Sequence, residues 1–268
     1  MNRYHKLFSH LAINKEGCFV PFVVLGDPSI QLSLNIIDVI INSGADAIEL
    51  GIPFSDPMAD GPIIQNANLR AFQSGITTIK CFQMLAAVRK KHPIIPIGLL
   101  VYANIIFSFG ISKFYSICHE CQIDSVLIAD VPIEESISFI KSAKKYKISP
   151  IFICPPNANK ALLKKIHFYS DSFIYLLSRS GVTGYKNKKH EKIKHLIHQL
   201  HEFQSVPLLQ GFGISEPSEI KKIILSGVNG VICGSAIIQK IEKYNQDHSI
   251  MMRKLQSFVS ILKQSTLQ

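Results

Sequence analysis

Residues 19–50 read FVPFVVLGDPSIQLSLNIIDVIINSGADAIEL, and the stretch changes rhythm twice. Phe19 to Leu25 and Ala47 to Leu50 are continuous apolar runs of strand length. Between them, Ser29 to Ser43 places Leu32, Leu34, Ile36, Ile37, Val39, Ile40 and Ile41 densely enough to cover a sheet as a helix, with Gly44 to close it. A strand buried on both faces reads as an unbroken apolar run, so the stretch predicts strand, helix and parallel strand. The same unit recurs along the chain. Further strands are expected at Ile97 to Val101, Ser125 to Ala129, Pro150 to Ile153, Phe173 to Leu177, Pro207 to Gln210 and Gly230 to Cys233. Helices are expected at Ile76 to Lys91, Ser112 to Cys121, Ile133 to Tyr146, Asn159 to Phe168, Lys188 to Phe203, Pro217 to Ser226 and Ser249 to Lys263. Eight alternating units in 268 residues, with no Pro/Gly/Ser linker to mark a boundary, predict one α/β domain over 1–268, a TIM (β/α)8 barrel, for which roughly 250 residues is usual. A doubly wound open sheet is the alternative that pattern alone leaves.

Composition narrows the class. Apolar residues make up 47% and charged residues 18%, enough for a large core and too little charge for a disordered chain. Arg3, His5, Lys6, His10, Lys15 and Glu16 interrupt the first residues, so no signal-peptide core is present there. Pro96, Gly98 and Asn104 break the most apolar region, Ile94 to Phe107, well short of the ~18 residues of a membrane span. A cytoplasmic protein is expected. The six cysteines are scattered, and only Cys118-His119-Glu120-Cys121 resembles a motif; without a second ligand pair it argues for buried thiols over a metal or redox site. The net charge of +10 is spread over helix faces, with one denser run at Lys186 to Lys194, and no nucleic-acid module accompanies it.

In a closed β/α barrel the chemistry lies at the C-terminal ends of the strands. There Glu49 closes the second apolar run, where an ionised carboxylate is costly to bury. It is expected to be an acid/base group with a raised pKa unless hydrogen bonds satisfy it. The loop that follows, Pro53-Phe54-Ser55-Asp56-Pro57-Met58-Ala59-Asp60-Gly61-Pro62, is stiffened by prolines and can bring Asp60 back over the mouth. Gln210-Gly211-Phe212-Gly213-Ile214-Ser215 and Gly234-Ser235-Ala236 follow the seventh and eighth runs. There, glycines that allow close backbone approach, and a short helix opened by Gly234-Ser235, lead one to expect a phosphate ligand. Tyr102 and Tyr175 would line an apolar pocket with Phe22, Leu100, Leu127, Ala129 and Phe212. Ser178 to Tyr185, with two glycines as hinges, has the makings of a lid that adds Thr183 to the substrate-binding groups.

The same segments resemble the tryptophan synthase alpha subunit family. They include Pro21 to Pro28, Glu49 to Pro57 with Ala59 to Pro62, Gln65-Asn66-Ala67 and Tyr102-Ala103-Asn104. Ala129 to Pro132, Ser178 to Gly184, Gly211 to Ser215 and Gly234 to Ala236 complete the likeness, which runs over essentially the whole chain. Tyr185 and the basic stretch beyond it depart from the family's usual pattern. The resemblance implies cleavage of indole-3-glycerol phosphate to indole and glyceraldehyde 3-phosphate, with Glu49 as general acid/base and Asp60 facing the indole N–H. It places the phosphate on the backbone around Gly184, Gly213, Gly234 and Ser235. It also implies a beta-subunit partner in an alpha2-beta2 heterotetramer, with Asp56 and Pro57 at the contact. Indole would pass to that partner for tryptophan synthesis; pyridoxal phosphate would belong to the partner, and this chain would need no cofactor or metal. The competing enzyme reading is a phosphosugar aldolase or isomerase on the same barrel. A Schiff-base aldolase needs a lysine inside the barrel, and none of the eight runs contains one. The non-enzyme reading, a silent regulatory barrel, leaves Glu49 and Asp60 unexplained.

Overall fold

The computed structural model describes residues 2–177, 186–203, 206–211 and 213–267, and for 186–192 the backbone alone. The chain runs α1 (Arg3–Asn14), β1 (Cys18–Val24), α2 (Ile30–Asn42), β2 (Ile48–Gly51), α3 (Pro62–Gln73), α4 (Thr78–Lys91), β3 (Ile97–Val101), α5 (Ala103–Phe109) and α6 (Ile111–Glu120). It continues through β4 (Ser125–Ile128), α7 (Ile137–Lys145), β5 (Ser149–Cys154), α8 (Lys160–Tyr169), β6 (Ile174–Leu177), α9 (Lys186–Glu202) and β7 (Leu208–Gly211). The last elements are α10 (Pro217–Ile224), β8 (Gly230–Cys233), α11 (Ser235–Lys243) and α12 (His248–Gln264). Each strand pairs in parallel with the next, and β8 pairs with β1 through Cys18 opposite Gly230 and Phe19 opposite Val231, so the sheet closes into a barrel. The open-sheet alternative is thereby removed.

All eight predicted strands are present, with ends displaced by at most a residue or so. The α2 boundaries follow their local chemistry. Ser29 accepts the Leu32 N–H at 3.3 Å as the N-cap, and Gly44 ends the helix at φ 106°, a left-handed conformation that suits glycine. Thr77 and Asn159 cap α4 and α8 in the same way. The helix expected from Ile133 to Tyr146 is broken. Ser136 bonds back to the Ile133 carbonyl at 2.6 Å, which ends a single 3-10 turn at Glu135 before α7 begins. Cys118 and Cys121 are buried by α6 and its end.

Three helices were not expected. α3 and α5 are insertions at the barrel's catalytic end. α1 lies across the opposite end, where Asn2 donates to Ser149 and Ser172 at 2.9 and 2.8 Å and the buried Tyr4 hydroxyl meets Ser125 at 3.2 Å. These partners start β4 and β5 or precede β6, so α1 seals the bottom of the barrel. At the same end, Asp124 accepts from Arg3, Arg89 and the Ile97 N–H at 3.0, 2.7 and 2.8 Å. Lys263 of α12 reaches Asp46 and Glu16 at 2.9 and 3.0 Å, tying the last helix to the first strand. Among the described residues, no helix is long and apolar enough to cross a membrane.

Candidate active site

Glu49 occupies β2 between Phe22 of β1 and Gly98 of β3, and it is 5% exposed. Its side chain points into the barrel, close enough to Tyr4 and Tyr175 for its charge to act on both phenols. No hydrogen bond or ion pair satisfies its carboxyl among the described residues, and burial, with a smaller contribution from Asp60, pushes its pKa up to about 8. Among the described residues, nothing makes it the hydrogen-bonded barrel glutamate of the alternative reading. At neutral pH this group holds a proton.

Asp60 is placed by its loop. The Met58 N–H donates to the Asp56 carbonyl and the Asp60 N–H to the Pro57 carbonyl, both at 2.9 Å, so the chain folds back in two tight turns. Tyr102, just ahead of α5, then braces the result. Its hydroxyl donates to Asp60 Oδ2 at 3.0 Å and accepts the Ala59 N–H at 3.1 Å, while its ring stacks on Phe54 at 4.9 Å. Burial raises the Asp60 pKa, and the Tyr102 hydrogen bond acts against that by favouring the anion. Tyr102 was expected as a pocket wall; its polar contacts are with the acid loop. Of the expected contact pair, Asp56 is exposed and takes a 2.5 Å hydrogen bond from Ser55, whereas Pro57 is buried. Met58, which the sequence reading passed over, is the apolar side chain this loop presents, at 92% exposure.

A cavity of about 470 Å³ opens beside Asp60, bordered by Leu100, Leu127, Ala129 and Tyr175, all expected, and by Ile153 and Leu177. It is apolar apart from a few groups, as a site for a flat aromatic molecule should be. Phe22 lies toward β8. A Cβ on Gly51 would come within 2.8 Å of its ring and one on Gly234 within 3.0 Å, so the two glycines make room for it. Gly211 has the same relation to Tyr175, whose hydroxyl fills the space a side chain would need. Gly234 caps α11 and Ser235 opens it, leaving first-turn N–H groups without helical acceptors, while Gly213 turns at φ 73°. The structure thus brings Phe22 and Gly234 together, and Asp60 together with the cavity. Thr183, Gly184, Phe212 and the expected lid, 178–185, lie outside the described residues.

Two further groups escaped sequence reasoning. Asn68, buried in α3, accepts the Phe54 N–H at 3.4 Å, and Asp130 at the cavity rim accepts the Ala103 N–H at 2.8 Å. Asp130 stands in the quoted Ala129 to Pro132 segment, which could have flagged it; nothing comparable marks Asn68.

Two carboxyls in unlike surroundings, at the end of the barrel where such folds do their chemistry, define an acid–base barrel enzyme. Its kinship is specific: the family model described as tryptophan synthase alpha chain matches residues 8–267, and this chain belongs to that family. A tryptophan synthase alpha chain from Sodalis glossinidius is 54% identical over 266 residues, covering 99% of each chain. The crystal structure of tryptophan synthase subunit alpha from Legionella pneumophila superposes with a TM-score of 0.89 at 29% identity, covering 99% of this chain and 98% of the other. A chain of the tryptophan synthase complex from Pyrococcus furiosus superposes at 0.81 with 28% identity, covering 91% and 98%.

Proposed function

We propose that Glu49 and Asp60 carry out the reaction of this family, the retro-aldol cleavage of indole-3-glycerol phosphate to indole and D-glyceraldehyde 3-phosphate. Breaking the bond between indole C3 and the glycerol chain leaves an electron pair on C3, and neutral indole accepts it poorly. Glu49, kept neutral at pH 7 by burial, delivers its proton to C3. The ring becomes an iminium ion, and the Asp60 carboxylate stabilises the charge at the ring nitrogen. Glu49, now ionised, takes the proton of the side-chain hydroxyl; the carbon–carbon pair flows into the ring, and aldehyde and indole form with the acid restored. Phe22, Leu100, Leu127, Ala129, Tyr175, Thr183 and Phe212 hold the ring. Gly184, Gly213, Gly234 and Ser235 hold the phosphate through backbone N–H groups. Tyr102 keeps Asp60 in place.

The observation that carries this reading is the buried, proton-holding Glu49 close enough to Asp60 for the two charges to act on each other. Indole release from indole-3-glycerol phosphate tests it. Glu49→Gln should slow release at least ~10²-fold with substrate binding retained; near-normal turnover removes Glu49 from the mechanism.

The Pyrococcus neighbour is a tryptophan synthase complex. We extend the reading to a beta-subunit partner in an alpha2-beta2 assembly, with pyridoxal phosphate on that partner and both proteins in the cytoplasm. The exposed Asp56 sits in the loop that ends at Asp60, so a partner touching it reaches the acid directly. Asp56→Ala should lower activation by added beta subunit far more than the basal rate; superimposable activation curves remove the loop from that role.

A further inference from the structure

α3 and α11 are the extra helices of the second and eighth units, each preceding the helix that carries the chain back. α3 begins at the acid loop, where Gln65 also donates to the Asp60 carbonyl at 2.9 Å. α11 begins at Gly234, the phosphate corner. The two helices pack on each other, and a single guanidinium joins their later turns. Arg70 of α3 donates to both oxygens of Asp27, at 2.7 and 2.9 Å, and to Glu242 of α11 at 2.9 Å. Asp27, 2% exposed, lies in the turn after β1, where Ser74 of α3's end also donates to the Gly26 carbonyl at 3.2 Å. Arg70 thus meets three elements at one point: the acid helix, the phosphate helix and the strand that carries Phe22.

A buried ion pair is a weak source of stability, because desolvation offsets most of the attraction. Its planar fork does fix geometry, since three bonds in one plane admit one arrangement of the carboxylates. Arg70 is eight residues beyond Pro62, about 12 Å along the helix, and Glu242 lies about 10 Å along α11 from Ser235. The substrate spans both ends at once.

We infer that Arg70, with Asp27 and Glu242, is a positioning group that sets the spacing between the Asp60 subsite and the phosphate subsite, so that a ligand joined across both is recognised more tightly than its parts. The inference rests on the function proposed above. It requires no contact between Arg70 and substrate. The sequence reading gave Arg70 no role, because its partners lie 43 and 172 residues away.

The test compares three ligands on the intact chain: indole, glycerol 3-phosphate, and indole-3-propanol phosphate, which joins the two. In Arg70→Lys, the point charge of an ammonium replaces the planar fork, so Asp27 and Glu242 can still be attracted but are no longer held at one fixed geometry. The joined ligand should bind about tenfold more weakly while each fragment stays within about twofold, because only a ligand linked across two sites senses their spacing. Glu242→Ala, at a side chain 44% exposed and making one bond to Arg70, should show the same selective loss at about threefold. If Arg70→Lys melts below the assay temperature, Glu242→Ala decides alone. Equal losses on all three ligands, or none on any, overturn the positioning role. Failure of the wild-type chain to bind the joined ligand would instead overturn the proposed function.

Discussion

Glu49 is a residue whose usefulness depends on being badly solvated. Its folded-state pKa, about 8, lies above the ordinary 4.5, so the barrel favours its protonated form. The stability this contributes is fully present below about pH 4.5 and is lost as pH rises through about 8, because the folded barrel must then hold a buried anion. Two outcomes are expected from the one titration. The pH profile of kcat/KM for cleavage should fall above about pH 8, and Glu49→Gln, with nothing to ionise, should be more stable than the parent at pH 9 while resembling it at pH 5. Urea unfolding at the two pH values checks the second; an equal stability difference at both would place the buried charge elsewhere. The candidate position of Glu49 was legible because a carboxylate in an apolar run is anomalous in one dimension. The depth of its burial was not, since that depends on which side chains the closed barrel turns toward it. The Tyr102–Asp60 contact spans 42 residues and likewise exists only once β2 and β3 are adjacent.

At the scale of elements, strands proved easier to read than helices. A strand buried on both faces has no polar side to confuse its pattern, and each apolar run became a strand. α3 was hidden because Gln65, Asn66, Asn68 and Arg70 interrupt its apolar positions, each polar group having a task or facing solvent. Only Pro62, in the first turn where a missing N–H costs nothing, announces it. α11 was visible through its glycine and serine, and its N-terminus yields a specific expectation. Gly234→Asp adds a carboxylate where an anion should sit, and its Cβ already meets Phe22 at 3.0 Å. Titration with glycerol 3-phosphate should show affinity reduced at least about tenfold by bulk and like charge. Equal affinity in variant and parent would mean that the phosphate binds at another place.

For the molecule as a whole, one end of the barrel does chemistry and the other holds the chain together. Asp124 is central at the lower end, and it is the counter-charge for Arg89, which is 4% exposed. Asp124→Ala strands that guanidinium and the Ile97 N–H together, a loss expected to cost roughly 3 kcal/mol or more. Thermal and urea unfolding should show it, with kcat of the folded fraction near that of the parent. A loss below about 1 kcal/mol would show the network to be dispensable.

The sealing of that lower end also dictates an order of events during synthesis. α1 is made before the strands it docks on, yet Asn2 needs Ser172 and Tyr4 packs against Phe173 at 5.3 Å between ring centres. The first helix therefore waits, without its docking surface, while more than half of the chain is made. β1 waits longer, for β8, and Lys263 can clasp Asp46 only once α12 has been made. A nascent chain stalled after β6 can seat its leading helix but cannot close its ring, so the apolar edge of β1 stays open to wrong partners until the last strand arrives.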